Sequence, residues 1–166
     1  MLKLGLSIGF FFIITATQTV FINYFSFEFL KADFGIPFIV YHIFFGTLDS
    51  AFVVALIIGF LQEGFSTASS GTLVFSKISL LLFCFLMRHK FYIESQYTFA
   101  ALCGASEFFE SLLVIGLSLF TKADISNAVN VMFYVFPNSV FTATFSLPIY
   151  SILVKFEHKY GEKKWD

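Results

Sequence analysis

The sequence predicts an all-α integral membrane protein with six transmembrane helices in one bundle. Of its 166 residues, 58% are hydrophobic and 13% are charged, and the mean hydropathy is +0.85. A soluble globular domain usually carries about a quarter charged residues, so this chain lacks the polar side chains that would cover a water-exposed surface. The apolar residues also fall into long runs, and a helix that crosses a bilayer needs about 20 of them.

The apolar runs follow one another along the chain, with short polar segments between them. The first run is longer than the apolar centre of a signal peptide, which has about 7–15 residues, and it has no clear small-residue cleavage site. The predicted spans are 4–25, 36–45, 51–61, 72–87, 97–120 and 131–154. Every backbone polar group in the hydrocarbon must be bonded within a helix, so a helix bundle is expected.

The segment 36–61 has two interpretations. It is either one long helix with Asp49 near its middle, or two short helices that turn at 46–50. The positive-inside rule favours two helices. With six spans, seven Lys and Arg residues share the side of the amino terminus and two lie on the other. We therefore expect both termini in the cytoplasm, with the bundle over 1–154 and a short basic tail over 155–166.

Several function classes are disfavoured by the same sequence. The net charge of −1 gives no basic face for nucleic acid. Cys84 and Cys103 lie in apolar runs, where cysteine packs as a small hydrophobic residue. The histidines share no ligand spacing, and no nucleophile or metal motif occurs. We expect neither an enzyme nor a cofactor.

Three charged residues inside the predicted spans form a candidate polar centre, because such residues are rare in a bilayer and often functional. Glu107 and Glu110 lie three apart on one face of the fifth span. Lys77 and Glu110 are about 9 and 15 Å deep by helical rise, so the lysine stem can bring the two charges together. Two interpretations remain for the carboxylates: a packing role in the interior, or a proton or ligand site. Lys77 has the alternative of reaching the outer surface alone.

Small residues recur every four positions on two of the predicted helices. Such faces allow helices to approach closely in a membrane. Each of the two faces has two interpretations: packing inside the bundle, or docking of a single helix from a partner. The residues are Ala51, Ala55 and Gly59 on one helix, and Ala100 with Gly104 and Ala101 with Ala105 on another.

The central part of the chain resembles the signature of the MreD family, the rod shape-determining membrane proteins of bacteria. The signature combines a glycine-rich helix, an acidic residue with a serine three positions later, a glycine loop and another hydrophobic span. Its residues here are Gly59, Glu63, Ser66 and Gly71, and Pro137 and Pro148 resemble the prolines that bracket the final helix of the family. Two positions depart from the family: Glu63 replaces the usual Asp, and Thr142 stands where Asn is expected.

The resemblance implies a non-enzymatic scaffold of the cell-elongation machinery, which synthesises peptidoglycan at the bacterial cytoplasmic (inner) membrane. Its expected partner is MreC, in a machinery that also contains MreB, the RodA glycosyltransferase and a penicillin-binding transpeptidase. The family is similar in fold to the substrate-binding subunits of energy-coupling-factor vitamin transporters. A small-molecule-binding transporter subunit is therefore the alternative function.

Overall fold

The computed structural model describes residues 9, 33–64, 71–120 and 125–161, and the side chains of 118–120, 125–131 and 156–161 are outside that description. Its regular structure over these ranges is entirely α-helical. Five helices have defined bounds: α1 (Gly35–Phe45), α2 (Leu48–Gly64), α3 (Thr72–Arg88), α4 (Gln96–Phe120) and α5 (Ile125–Gly161). The all-α prediction is confirmed for this part of the chain. The predicted first span, 4–25, lies outside it except for Gly9.

The segment 36–61 forms two helices, as the charge distribution favoured. Gly46 ends α1 in an extended conformation, with its N–H donating to the carbonyl of His42 at 3.0 Å. A Cβ at Gly46 would lie 2.7 Å from that carbonyl oxygen, so only glycine makes this close turn without displacement. Thr47 then caps α2, since its Oγ1 accepts the N–H of Ser50 at 3.3 Å.

The next two helices lie within one residue of their predicted bounds. Gly71 precedes α3 with φ of +90°, in the left-handed region that favours glycine. Ser95 caps α4, since its Oγ accepts the N–H of Thr98 at 3.2 Å. The turn between them follows Arg88, the last residue of α3.

Helix α5 is longer than the sequence predicts. It begins at Ile125 rather than at 131, so the expected connection over 121–130 is shorter. It ends at Gly161, so the predicted tail over 155–166 begins inside the helix. Pro137 and Pro148 both lie within α5. Proline is tolerated in helices of membrane proteins because neighbouring groups can satisfy the backbone carbonyls that lose their donor.

Helix α1 occupies the centre of the bundle. It contacts each of the other four helices, and its Ile36, Ile39 and Ile43 are completely buried. Around it, α2 packs on α3, α3 on α4, and α4 on α5. The neighbouring helices therefore enclose α1 and can direct polar groups toward its amino-terminal end.

Two glycines allow close approaches between helix backbones. A Cβ at Gly59 in α2 would lie 2.9 Å from the Cα of Val74 in α3. One at Gly104 in α4 would lie 3.2 Å from the carbonyl oxygen of Ser139 in α5. Ala51 and Ala55, on the face of Gly59, are also fully buried. This face serves internal packing, which was one of its two interpretations.

Within the described residues, one helical segment is long and apolar enough to cross a membrane by length and composition, Gln96–Leu117 in α4. Helix α1 is apolar but has only 11 residues. The number of membrane spans stays a prediction.

Candidate functional site: a buried ionic cluster

Lys77 is the centre of a buried cluster of charged and polar side chains. It lies on the first two turns of α3, and its exposed fraction is 0%. Its Nζ donates to the carboxylate of Glu110 in α4 at 2.7 Å and to Oδ2 of Asp33. The contact between Lys77 and Glu110 that the depths along the helices predicted is therefore present, and Lys77 does not extend to the surface.

Asp33 is the second acidic partner of Lys77, and it lies one residue before Phe34, the N-cap of α1. Its Oδ1 accepts the N–H of Gly35 at 2.7 Å and the Nε2 amide of Gln62 at 2.9 Å. Burial alone would raise the pKa of Asp33, but the Lys77 ammonium and these hydrogen bonds hold it below its usual value. The carboxylate also interacts favourably with the positive end of the α1 dipole.

The two glutamates of α4 have different surroundings. Glu110 accepts hydrogen bonds from the Ser76 hydroxyl at 2.8 Å and from Lys77. Glu107, one turn earlier, contacts hydroxyl groups: Ser111 at 3.2 Å and Thr142 of α5 at 3.3 Å. Both glutamates are buried. The candidate residues Lys77, Glu107 and Glu110 thus share one polar region, but Glu107 is not an ion-pair partner of the lysine.

Thr142 connects the last helix to the cluster. Its Oγ1 accepts the backbone N–H of Asp33 at 3.1 Å, and its hydroxyl donates to Oε2 of Glu107. With Gln62 from α2 and Lys77 from α3, side chains of four helices and the residues before α1 meet at one place. We call this set the ionic cluster: Asp33, Gln62, Ser76, Lys77, Glu107, Glu110, Ser111 and Thr142.

The ionic cluster is acidic. It contains three carboxyl groups and one ammonium group, so its formal charge is −2 if all of them are ionised. Removing charges from water is costly, and an ion pair recovers that cost only when good geometry and further hydrogen bonds accompany it. Asp33, Lys77 and Glu110 have such bonds. They can hold the helices in one arrangement.

The signature residues make a separate contact. A carboxylate oxygen of Glu63, near the end of α2, accepts the N–H of Gly71 at the start of α3. This bond closes the connection between the two helices and satisfies one of the free N–H groups at the helix start. Ser66 lies outside the described residues. Glu63 and Gly71 are thus brought together, but at the helix connection rather than in the ionic cluster.

The small residues of α4 divide between two faces. Ala100 and Gly104 are buried, and a Cβ at Gly104 would lie 3.1 Å from the Cβ of Ala143 in α5. Ala101 and Ala105 are exposed on the outer face. The first pair packs inside the bundle, and the second pair stays available as a partner face.

The two cysteines lie apart from any reactive arrangement. Both are fully buried with free thiols, and the Cys84 Sγ is 3.3 Å from the Ser106 hydroxyl. In the described ranges, His, Cys, Asp and Glu side chains form no group of three that could hold a metal ion.

Comparison with known proteins gives no match to a family model, to a curated protein or to a solved structure.

Sequence reasoning missed Asp33 and Gln62 as members of the site. Asp33 lies in the polar segment between the predicted spans 4–25 and 36–45. An Asp just before an apolar helix is, however, a typical residue for a helix start, and that signal could have marked it. No sequence signal distinguishes Gln62 from the neighbouring polar residues.

Proposed function

We propose that this chain is a non-enzymatic membrane scaffold of the MreD type, which binds MreC in the bacterial cell-elongation machinery and maintains rod shape. The resemblance, which covers nearly the whole chain after about residue 36, supports this proposal. The distribution of polarity in the helix bundle is the structural observation that supports its membrane location.

The bundle has charges inside and large apolar side chains outside. Lys77, Glu107 and Glu110 are buried, whereas many aromatic and aliphatic side chains face outward. Phe60, Leu86, Phe133 and Phe136, for example, are 63–77% exposed. A water-soluble monomer rarely exposes an apolar surface made of so many large side chains. Lipid tails would cover it at no cost, and a bilayer would also explain why the ionisable groups face inward.

In the proposed topology, six helices span the cytoplasmic membrane and both termini are cytoplasmic. The resemblance to the MreD family implies the substrate-binding subunit fold of energy-coupling-factor transporters for this arrangement. Cysteines introduced at positions 3 and 160 of a Cys84→Ser, Cys103→Ser background should resist an impermeant thiol reagent in intact cells. Labelling of either position would contradict the topology.

The bonding within the ionic cluster supports a scaffold more than an enzyme or a transporter subunit. Lys77 is bound by Asp33 and Glu110, and Glu110 is bound further by Ser76. A ligand would have to displace these internal contacts. Groups that satisfy one another in this way stabilise one helix arrangement.

The exposed face of α4 is the proposed contact surface for MreC. Ala101 and Ala105 lie one turn apart on this face, with Tyr97 and Phe108 exposed on either side. Small residues at this spacing let a second transmembrane helix approach closely, and the flanking rings supply contact area. MreB, RodA and the penicillin-binding transpeptidase would then join through the assembled machinery.

The test is affinity purification from native membranes in mild detergent, with MreC identified in the eluate. The wild-type chain should recover MreC, and Ala101→Leu with Ala105→Leu should lose it while keeping the wild-type melting temperature. Thr144→Leu enlarges an exposed small residue of α5 instead and is the matched control. Recovery of a pair of ATPases instead of MreC would favour the transporter function. Equal recovery of MreC by all three proteins would exclude this face as its contact surface.

A further inference from the structure

Glu107 differs from the other two carboxyl groups of the ionic cluster. Asp33 and Glu110 both contact the Lys77 ammonium. In the part of the chain that the structure describes, no Lys or Arg lies within ion-pair distance of Glu107, which contacts the hydroxyls of Ser111 and Thr142 instead. Its carboxyl group is therefore buried next to neutral partners.

Three charged groups face Glu107: Lys77 on α3, Glu110 on α4 and Asp33 before α1, while α5 contributes the neutral Thr142 hydroxyl. The two carboxylates oppose ionisation of Glu107, and Lys77 favours it. The one ammonium already serves two carboxylates. A third carboxylate would leave a second buried negative charge without a cation, and burying an unpaired charge is far more costly than burying a neutral acid.

We propose that Glu107 is the proton-binding group of the ionic cluster. Its carboxyl group is protonated at neutral pH and releases the proton to water at alkaline pH. A neutral carboxylic acid fits the contacts at this position. Oε1 accepts from the Ser111 hydroxyl at 3.2 Å and Oε2 from the Thr142 hydroxyl at 3.3 Å. Both bonds are longer than the roughly 2.5–2.7 Å of a hydroxyl bound to an ionised carboxylate. Thr142 Oγ1 also accepts the N–H of Asp33. Loss of the proton converts Glu107 into an anion beside Asp33 and Glu110.

Because of the position of Glu107, loss of this proton affects the packing of α5 against α4. Glu107 lies three residues after Gly104, where α4 contacts α5 closely through Ser139 and Ala143. The Thr142 contact crosses the same interface. A second negative charge there favours entry of water between α4 and α5. Deprotonation therefore loosens α5 from the bundle. This inference does not depend on the proposed binding of MreC.

Infrared spectroscopy of the purified full chain in detergent tests the proton directly. Wild type should show a protonated carboxylic acid C=O band at neutral pH, and the band should disappear at alkaline pH. Glu107→Gln should lack the band, because the amide has the shape of the acid but no titratable proton. Glu94→Gln changes an exposed carboxylate and should keep the band. Absence of the band in wild type, or its persistence in Glu107→Gln, would overturn the proposal.

A second measurement follows packing rather than the proton. The melting temperature of wild type should fall from mildly acidic to mildly alkaline pH and then level off, because stability decreases with pH only where the folded state holds a proton that the unfolded state has released. The melting temperature of Glu107→Gln should be independent of pH over the same range. Parallel curves for the two proteins would show that the proton on Glu107 does not control the bundle. The wild-type spectrum and melting curve remain decisive if the variant fails to fold.

Discussion

Replacing Lys77 by methionine removes the cation that two buried carboxylates share. Methionine keeps an unbranched side chain of similar length, so the main change is electrostatic. Asp33 and Glu110 would then lie in the interior without their common partner. The hydrogen bonds from Gly35, Gln62 and Ser76 to these carboxylates would remain.

The expected loss follows from the complete burial of Lys77. Removing one partner of a buried ion pair costs about 3–5 kcal/mol, since it leaves an uncompensated charge. For a chain of this size, that loss corresponds to a decrease in melting temperature of roughly 6–20 °C. Lys90→Met, at an exposed lysine, should change the free energy of unfolding by less than about 0.5 kcal/mol.

The assay is thermal unfolding of the purified protein in one detergent, with folded yield as a second readout. Combining Lys77→Met with Asp33→Asn and Glu110→Gln should recover much of the loss, because the cluster is then neutral. Exchanging the charges of Lys77 and Glu110 should recover only part, since Asp33 would face the new carboxylate. The ionic cluster does not stabilise the bundle if Lys77→Met unfolds at the wild-type temperature. The same conclusion follows if the effects of the three substitutions on the melting temperature are additive.

Three further substitutions test separate contacts by melting temperature. Gly59→Ala should destabilise, because its Cβ would lie 2.9 Å from the Cα of Val74, whereas Gly64→Ala, with no atom within 4 Å, should not. Gly71→Ala should cost about 1–2 kcal/mol through its φ of +90°, and an unchanged stability would show that the turn readjusts. Thr142→Val should cost about 1–3 kcal/mol, since it leaves the Asp33 N–H without a partner and removes one of the two hydroxyls that contact Glu107; a neutral effect would mean that water replaces the hydroxyl.

Hydropathy predicted the helices best where polar residues interrupt the apolar runs. Gly46 and Thr47 separate α1 from α2, and both the α3 and α4 bounds follow the ends of their runs. The start of α5 was missed because the residues over 121–130 are polar. Hydropathy marks the apolar part of a helix, whereas the backbone hydrogen bonds of α5 begin at Ile125.

Counting helical rise was sufficient to predict that Lys77 meets Glu110, because both residues lie on helices that leave the same predicted surface. Asp33 could not be found in this way. It lies outside a helix and 44 residues from Lys77, so its contact depends on how α1 enters the bundle. Helical periodicity assigned Glu107 and Glu110 to one face. Only the packed structure separates the carboxylate that pairs with lysine from the one that faces hydroxyls.

Depletion of the chain from the cells that encode it tests the proposed scaffold function most directly. The measurement is cell shape by microscopy as the protein is lost, with a wild-type copy on a plasmid as the control. The account predicts that rods widen and become round, and that the wild-type copy restores them. Rods that keep their width and continue to elongate without the protein would contradict a role in the cell-elongation machinery.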